Sequence, residues 1–509
     1  MSEHYVPDAV DPSSLPLFAP PDAPRPGRVR GAFTLTASAP APGGVPDVPA
    51  QVVALPLPRP HAGELDWGLV AALRGQASDR LSAALGQGRA HLDVTAQREA
   101  GRAIIADLLH GAAGERIDAG TPAWTRAEQA ALAAAVEAAL FGLGRLQPLV
   151  DDDAVENIII TGHDRVTLEL TDGRMVPGPA VADSDAELID FLVFLASRSE
   201  VNARPFSQAQ PRLHLRLDGG ARLAAAAWVT PRPSVVIRRH RLRKVTLDDL
   251  VARGTMTALA ASFLAAAVKA RKSIVVTGAQ GAGKTTLVRA LCAEFPKHEA
   301  IGTFETEYEL HLHELPEQHP IVFAWEARPG SGERGPDGRQ AGEFTLSQAL
   351  FDSFRFNLSR QIVGEVRGHE ILAMLKAMES GAGSISTTHA PSAEGAIGKL
   401  VTCAMEAGPH VTHDYAVRAI AAAIDIVVHV HLETTPLPDG TPQRHRWVAE
   451  IITVTGGERE KGYAIQHVFR THPGEREATA HVLDDSYRDL AGYGFDLDGF
   501  YATATGAAP

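Results

Sequence analysis

The sequence predicts a mixed α/β protein whose largest domain is built on a mainly parallel sheet. A phosphate-binding loop of the form G-x-x-x-x-G-K-T lies between an apolar, β-branched run at residues 273–277 and a segment with helical spacing. Downstream of it, strand-like and helix-like segments alternate, which is typical of a parallel sheet covered by helices. Upstream, a shorter stretch with hairpin turns indicates a second, smaller α/β domain.

Composition and periodicity divide the 509 residues into five parts. Residues 1–62 hold 14 of the 34 prolines, so this arm cannot sustain helices or bury a core, and we expect it to be disordered. A helical segment is predicted over 63–141, the α/β N-terminal domain over 142–243, and the nucleotide-binding domain over 244–471. The tail, 472–509, is polar and then partly amphipathic, and the sequence leaves open whether it packs on the core.

The helical segment contains leucines and isoleucines at helical spacing, in two groups near residues 69–85 and 104–109. Thr125 and Glu128 form a capping-box pattern before an alanine-rich run, which predicts the start of a third helix. Helices of this kind usually serve packing or partner contacts rather than chemistry.

The N-terminal α/β domain is predicted to contain strands at 155–161, 166–170, 213–217 and 235–237 and a helix at 188–196. Asp-Gly turns at 171–173 and 218–220 indicate hairpins. A basic run that includes Arg238 and Arg239 follows the last strand. Such a run is usually a solvated face, but directly before a nucleotide-binding domain it can also reach a phosphate.

In the nucleotide-binding domain, we expect further strands at 300–305, 361–364 and 384–388. Apolar runs at 424–430 and 447–454, joined by a Pro-Asp-Gly turn at 438–440, are interpreted as antiparallel additions.

The overall composition is that of an ordinary globular protein with a net charge of −13, which argues against binding nucleic acid through a broad basic surface. Two cysteines cannot make a four-thiolate zinc site and suggest no disulfide framework. The start lacks the features of a signal peptide, and no apolar run is long enough to span a bilayer. We therefore expect a cytoplasmic protein that can still associate with a membrane complex.

The phosphate-binding loop predicts nucleotide binding. Its glycines let backbone N–H groups converge on a polyphosphate at the positive end of a helix. Lys284 is placed to reach the β- and γ-phosphates, and the Thr285 hydroxyl to bind Mg²⁺. The loop residues expected to bind ATP are Gly278, Gln280, Gly281, Ala282, Gly283, Lys284, Thr285 and Thr286.

Three downstream segments carry candidate catalytic residues. Glu305, Glu307 and Glu309 alternate, so on an extended segment their carboxylates would share a face, although an exposed strand is the common alternative. Glu365 ends an apolar strand, where an acid that organises a metal belongs in a parallel sheet, and His389 follows another strand. Three histidines at 311, 313 and 319 could suggest a metal, but a solvated strand explains them better.

Together these segments resemble the ATPases of the type II/type IV secretion superfamily, and most closely the CpaF-like branch of tight-adherence pili and type IV secretion. The resemblance covers about residues 142–456. It rests on the Walker A loop at 278–286 and on three segments similar to the family's Asp box, Walker B and His box, at 304–310, 362–368 and 386–390. Residues 142–151 and 155–162 are similar to the start of its N-terminal domain, and Arg238 and Arg328 stand in its arginine-bearing segments.

The resemblance implies a RecA-like motor domain and a homohexameric ring that binds ATP and Mg²⁺ between its two domains. Arginines of the linker or of a neighbouring subunit would reach the phosphates, and the ring would act on inner-membrane platform proteins from the cytoplasmic face of the membrane. It implies an ATP-hydrolysing motor for pilus assembly or protein secretion. From the acidic net charge, we expect no direct contact with nucleic acid.

Within that resemblance we assign Glu305 to positioning the attacking water, and Glu365 to Mg²⁺ and its waters. The Asp box normally carries an acidic pair, whereas Thr306 replaces its second acid here, so we expect slow turnover. Two other functions stay open: a DNA-transfer motor of the conjugation type, and a weakly hydrolysing, nucleotide-dependent assembly scaffold.

Overall fold

The computed structural model describes residues 65–86, 93–198, 206–239, 244–328, 340–368, 370–457 and 461–504. The predicted arm, and the part of the basic run after Arg239, lie outside the described residues. Residues 65–509 form one compact unit. None of the helices in the described part of the chain combines the length and the apolarity that crossing a bilayer requires.

Three helices form the first layer of the described chain: α1 (Trp67–Gly86), α2 (Val94–Asp118) and α3 (Arg126–Phe141). The predicted capping box begins α3, because the Thr125 hydroxyl accepts the Glu128 N–H while the Glu128 carboxylate accepts the Thr125 N–H. One apolar stripe from each helix packs into a shared core that includes Leu73, Leu108 and Val136.

The N-terminal domain is a six-stranded antiparallel sheet in the order β3-β2-β1-β6-β5-β4. Two helices accompany it, and its core is separate from that of the helical segment. The elements are α4 (Gln147–Asp151), β1 (Val155–Thr161), β2 (Val166–Leu170), β3 (Met175–Gly178), α5 (Asp185–Arg198), β4 (Arg212–Arg216), β5 (Arg222–Ala226) and β6 (Ser234–Arg238).

The second domain is a nine-stranded sheet in the order β15-β14-β13-β12-β7-β11-β10-β8-β9, with helices on both faces. Six neighbouring strands, from β12 to β9, pair in parallel. The elements are α6 (Leu247–Ala252), α7 (Ala258–Lys269), β7 (Ile274–Gly278), α8 (Lys284–Cys292), β8 (Ile301–Glu305), β9 (Val322–Glu326), α9 (Leu346–Ser353), β10 (Arg360–Val366), α10 (Ile371–Glu379), β11 (Ile385–Thr388), α11 (Ala393–Glu406), α12 (His413–Ala423), β12 (Ile426–Pro436), β13 (Pro442–Gly456), β14 (Tyr463–Thr471), β15 (Ala478–Ala480) and α13 (Leu497–Ala504).

This architecture confirms the predicted fold class, a mainly parallel P-loop domain preceded by a smaller α/β domain and a helical segment. One pairing differs from the prediction: β12 is antiparallel to β13 but parallel to β7, because α12 returns the chain to the start of the sheet. The tail packs on the core, since Tyr487, Leu490 and Phe500 are buried beside Phe263 of α7 and Phe469 of β14.

The strands β12 and β13 form a long hairpin that extends beyond the sheet to the N-terminal domain. The Arg444 N–H donates to the Gly173 carbonyl over 2.9 Å, and the Gln443 amide donates to the Asp172 carbonyl over 3.0 Å. Gly173 has φ +84°, and a Cβ there would lie 2.3 Å from the Arg444 carbonyl oxygen, so this contact requires glycine. The hairpin tip thus docks on the turn between β2 and β3.

Candidate functional site

The phosphate-binding loop joins the carboxyl end of β7 to the amino end of α8, as the sequence predicts. Gly281 and Gly283 adopt left-handed φ values of +78° and +94°. Because glycine has no Cβ, the backbone can turn in this way without the steric strain that another residue would have. At Gly278 a Cβ would lie 2.3 Å from the Val430 carbonyl oxygen of β12, so the loop is anchored against the neighbouring strand.

Lys284 is folded onto the loop, with its side chain 8% exposed. Its ammonium donates to the carbonyls of Gly278 and Ala279 over 3.2 and 3.0 Å and lies 3.1 Å from Nδ1 of His389. Burial lowers the pKa of Lys284 to about 8, against the opposing charges of Glu365 and Glu309. An anionic ligand at the loop would restore the stability of the charged ammonium.

His389 connects Lys284 to Glu365. Its Nδ1 faces the Lys284 ammonium, while its Nε2 lies 2.7 Å from a Glu365 carboxylate oxygen. Burial, followed by the charge of Lys284, lowers the pKa of His389. The ring is therefore neutral at pH 7 and lies between the Lys284 ammonium and the Glu365 carboxylate.

Glu365 lies at the end of β10, where the sequence places it. Arg367 donates to its second oxygen over 2.5 Å. Burial would raise the pKa of Glu365, but the Arg367 hydrogen bond and charge, with the charges of His389 and Lys284, hold it below the usual value. Glu365 is therefore an ionised carboxylate beside the loop lysine.

The three glutamates of the Asp-box segment do not share a face, because β8 ends at Glu305 and the chain then turns. The Glu305 carboxylate accepts the N–H groups of Glu309 and Leu310 over 2.8 and 2.9 Å and is 2% exposed. Burial raises the pKa of Glu305 to about 7. Glu307 instead points outward and pairs with Arg222. The predicted extended segment is thus wrong after Glu305.

Glu309 lies closest to the loop among these acids. One of its oxygens accepts the Thr285 hydroxyl over 3.0 Å, and the other accepts Arg222 of β5 over 2.7 Å. Arg222 also donates to the Tyr308 carbonyl. A chain of hydrogen bonds therefore runs from the loop threonine through Glu309 to the N-terminal domain.

The Thr285 hydroxyl contacts the Glu309 carboxylate, and hard oxygen donors of these two kinds fit a Mg²⁺ ion. The Thr285 hydroxyl is the donor type that P-loops supply to Mg²⁺, and the carboxylates of Glu309 and Glu365 can hold the waters that Mg²⁺ keeps.

The predicted arginines lie in different surroundings. Arg238, at the end of β6, faces the cleft beside the loop. Arg239 donates to the carbonyls of Asp152 and Val155 within its own domain. Arg328 is exposed and donates to the Gly342 carbonyl over 2.8 Å, and it does not line this cleft. A role for Arg328 at a neighbouring subunit's nucleotide stays a prediction.

A cleft of about 920 Å³ lies between the N-terminal sheet, the phosphate loop and the β12–β13 hairpin. Its volume is in the range of sites for small molecules and cofactors. The lining residues that bear charge are Glu156, Glu169, Asp172, Arg238, Arg239, Arg253, Lys284, Arg289, Arg444, Arg446 and Arg476. Arginines thus outnumber acids around the loop, which favours an anionic ligand.

Sequence reasoning missed Arg222 and Arg446. Arg222 opens the strand after the Asp-Gly-Gly turn, and a search for arginines at strand ends facing the motor domain would have found it. Arg446 carried no local signal, because its position depends on a hairpin that reaches the loop from the far end of the chain.

The histidines at 311, 313 and 319 do not lie on a solvated strand, as the sequence suggested. His311 and His319 are buried, and His311 precedes a 3₁₀ turn. Ligand atoms of His311, His313 and Glu314 lie within 4.8 Å of one another. However, an Arg216 nitrogen lies 2.8 Å from Glu314 and 3.2 Å from His311, so a cation already occupies this cluster and links the two domains.

Comparisons with known proteins show the family of the chain. A family model described as "Type II/IV secretion system protein" matches residues 187–445, about half of the chain. A probable conjugal transfer protein TrbB of Sinorhizobium fredii (strain NBRC 101917 / NGR234) is 27% identical over 309 residues, which are 60% of this chain and 85% of that protein. Type IV secretion system protein VirB11 of Brucella suis biovar 1 (strain 1330) is 32% identical over 213 residues, 41% of this chain and 54% of VirB11.

Solved structures are similar over a comparable length. The crystal structure of the VirB11 ATPase of the Brucella suis type IV secretion system, in complex with sulphate, is 27% identical with a TM-score of 0.30, and the match covers 62% of this chain and 96% of that one. The X-ray structure of the Legionella pneumophila ATPase DotB is 18% identical with a TM-score of 0.41, covering 60% and 79%.

Proposed function

Because the chain belongs to the type II/IV secretion system protein family, we propose that it is an ATP-hydrolysing motor that works on a pilus-assembly or protein-secretion complex. The observation that carries the proposal is the hydrogen-bonded chain Thr285–Glu309–Arg222. It joins the loop that would hold the phosphates to β5 of the N-terminal domain, so the occupancy of the loop can change the contact between the domains.

In this proposal the loop N–H groups and Lys284 bind the β- and γ-phosphates, and their positive charge offsets the charge that develops on the leaving oxygens. Mg²⁺, when bound, would act as a Lewis acid that offsets the negative charge of the phosphates. The Thr285 hydroxyl would face it, and Glu365 would hold its waters. His389, with one ring nitrogen facing each group, would hold the Glu365 carboxylate and the Lys284 ammonium at a fixed separation.

Hydrolysis needs a carboxylate that orients the attacking water, whose oxygen bonds to the γ-phosphorus as the bond to the ADP oxygen breaks. The sequence predicts Glu305 for this role, and the contact of Glu309 with Thr285 supports Glu309 as the residue that would orient the water. Glu305 would then act through Glu309, by holding the Glu309 N–H. Arg222 and Arg238 would stabilise the charge on the γ-phosphate from the N-terminal side.

The finer points of the proposal follow the family resemblance. The motor would be a homohexameric ring of the CpaF-like branch, located at the cytoplasmic face of the inner membrane and acting on platform proteins there. Arg328 would reach the site of an adjacent subunit. Thr306, exposed on the turn after β8, leaves one acid fewer in this segment, so turnover would be slow.

The test is an ATPase assay of the full chain with and without Mg²⁺, for the wild type, Lys284→Ala and the control Lys376→Ala. Lys376 is an exposed lysine on α10, remote from the loop. We expect Mg²⁺-dependent release of phosphate that Lys284→Ala abolishes and Lys376→Ala retains. Absence of activity in the wild type, or activity in Lys284→Ala within a few-fold of wild type, would reject the motor.

The ring is tested separately by light scattering. We expect a non-hydrolysable ATP analogue to convert the chain to a species of six times the monomer mass. A monomer at high protein concentration with the analogue present would count against a ring.

A second candidate function, transfer of DNA, is favoured by one observation: the relative TrbB, of which 85% is covered, is a probable conjugal transfer protein. The net charge of −13 opposes direct contact with nucleic acid. Binding of single-stranded DNA with a steep dependence on salt, together with DNA-stimulated ATPase activity, would favour this second candidate. An ATP-binding chain that hydrolyses nothing would instead indicate an assembly scaffold.

A further inference from the structure

The hairpin of β12 and β13 brings two arginines directly over the phosphate loop. A Cβ at Gly281 would lie 3.6 Å from an Arg444 nitrogen, and a Cβ at Gly283 would lie 3.7 Å from Arg446 Cδ. The Nε of Arg446 donates to the Gly281 carbonyl over 2.9 Å. Arg446 therefore contacts the loop itself, on the side that lines the cleft.

Both arginines are held by one acid of the N-terminal domain. Glu169 of β2 is 1% exposed, and its two oxygens accept Arg446 over 2.6 Å and Arg444 over 2.8 Å. Asn157 of β1 donates a third hydrogen bond over 3.0 Å. A carboxylate this deeply buried is tolerated because it is paired and hydrogen-bonded. Removing a partner would leave an uncompensated charge.

The two arginines differ in one respect. Within the described residues, Arg444 donates to Glu169 but not to a loop carbonyl, whereas Arg446 donates both to Glu169 and to the Gly281 carbonyl. The Glu156 carboxylate lies 3.7 Å from Arg446. The Arg446 guanidinium has donors in a planar fork that suits phosphate oxygens, and a neutral carbonyl is a weaker acceptor than a phosphate.

We propose that Arg446 is an additional phosphate-binding residue of the nucleotide site, held ready over the loop by Glu169, which a bound phosphate displaces as its partner. The inference rests on the proposed function, because it assumes that this cleft binds a nucleotide. Arg446 would bind the phosphates of the nucleotide from the β12–β13 hairpin. The Glu169–Arg446 contact between the domains would then depend on whether a nucleotide is bound.

The exchange has a definite consequence for affinity. Glu169 competes with phosphate for the Arg446 guanidinium, so neutralising Glu169 strengthens nucleotide binding, and removing Arg446 weakens it. If Arg446 and Glu169 served merely to dock the hairpin, both substitutions would loosen the cleft and would change affinity in the same direction. The two variants thus separate a binding role from a structural one.

The experiment measures ADP affinity by titration calorimetry, and displacement of ADP by inorganic pyrophosphate, on the full chain. We expect Arg446→Gln to weaken the affinity for ADP and the affinity for pyrophosphate by about ten- to hundredfold each, since a hydrogen bond to a charged group is lost. Arg446→Lys retains the charge without the fork and should recover part of the loss. Glu169→Gln should tighten ADP binding, by about three- to tenfold, which loss of folding cannot imitate.

Arg174→Gln is the matched control, because Arg174 is an exposed arginine beside the turn on which the hairpin tip docks, pairs with Asp172 and is not among the residues that line the cleft. We expect its ADP affinity to lie within about threefold of wild type. Arg446→Gln with wild-type ADP affinity, or Glu169→Gln that weakens ADP binding as Arg446→Gln does, would overturn this inference alone. A wild-type chain that binds neither ADP nor ATP would overturn the proposed function as well.

Discussion

The Thr285 hydroxyl donates to the Glu309 carboxylate over 3.0 Å, although Thr285 lies in the first turn of α8 and Glu309 lies in the loop after β8, where Arg222 of the other domain also holds it. Thr285 is the loop residue that faces the metal in proteins of this kind. In the proposed site, the acid that would lie beside Mg²⁺ is therefore Glu309, the third glutamate of the Asp-box segment, and its position depends on both domains.

We expect Glu309→Gln to reduce steady-state ATP turnover by about 10²–10⁴-fold, the usual contribution of a positioned general base. The amide retains the hydrogen bond from Thr285 but loses the charge, so ADP affinity should change little. Glu307→Gln is the control, because Glu307 pairs with the same Arg222 but is exposed. If Glu309→Gln retains its turnover and Glu305→Gln loses it instead, then Glu305 orients the attacking water, as the sequence predicts.

The pKa of Lys284, lowered by burial to about 8, predicts a pH dependence of nucleotide binding. A phosphate at the loop raises this pKa, so binding takes up a proton once the free lysine has lost it. Affinity is then fully present below pH 8 and falls above it, by about tenfold per pH unit until the pKa of the complex is reached.

Calorimetry of ADP binding in buffers of different ionisation enthalpy checks this directly. Proton uptake should be small at pH 7 and approach one proton near pH 9. Uptake that does not change between these two values would show that Lys284 is charged throughout.

Glu305 predicts an effect on stability. Its pKa in the folded chain is about 7, raised by burial above the ordinary value of 4.5. The carboxyl group therefore contributes stability that is fully present below pH 4.5 and is lost as the pH rises to 7, by up to about 3 kcal/mol. Glu305→Gln, which retains an acceptor for the N–H groups of Glu309 and Leu310, should be more stable than wild type at pH 8.

Thermal unfolding at pH 5 and pH 8 tests this expectation. We expect similar midpoints at pH 5 and a higher midpoint for Glu305→Gln at pH 8. A lower midpoint for the variant at pH 8 would mean that the ionised carboxylate is stabilised in the folded chain.

A buried ion pair at the opposite end of the sheet provides a stability prediction. Arg360 is 1% exposed, donates to Glu299 over 2.5 Å and to the Val268 carbonyl over 3.0 Å, and lies over the Phe295 ring. Arg360→Ala leaves the buried Glu299 carboxylate short of its main partner and should cost about 3–5 kcal/mol of unfolding free energy.

Arg271→Ala is its matched control, because Arg271 contacts the same Glu299 from an exposed position and should cost about 1 kcal/mol or less. Urea unfolding followed by tryptophan fluorescence compares the two. Equal losses would show that Glu299 is satisfied equally by both arginines.

Local patterns predicted most of the elements that position the site. The β-branched and apolar residues at 155–161 and 166–170, each run ended by a glycine-containing turn, gave the bounds of β1 and β2. The glycines of the phosphate loop likewise predicted the left-handed backbone turns at Gly281 and Gly283. These features depend on residues close in sequence, where propensity and tertiary packing agree.

Contacts between distant segments were not predictable in the same way. The face of Glu309 depends on the turn after Glu305, which two backbone N–H groups fix by donating to the Glu305 carboxylate rather than continuing the strand. The placement of Arg222 and Arg446 depends on how two domains pack, which no periodicity encodes. The parallel pairing of β12 with β7 follows from the path of α12. An apolar run alone does not indicate whether a strand pairs in parallel or antiparallel.

The contact between Glu169 and Arg446 spans 277 residues of sequence, which has a consequence for biosynthesis. Ribosomes add roughly 5–20 residues per second, so about 15–55 s separate the two ends of this ion pair as the chain emerges. During that interval the N-terminal domain can fold around its own core while Glu169 lacks both arginines. The turn at Gly173 then remains without its contact to the hairpin tip until β12 and β13 have been synthesised. The cleft between the two domains is therefore completed late in translation.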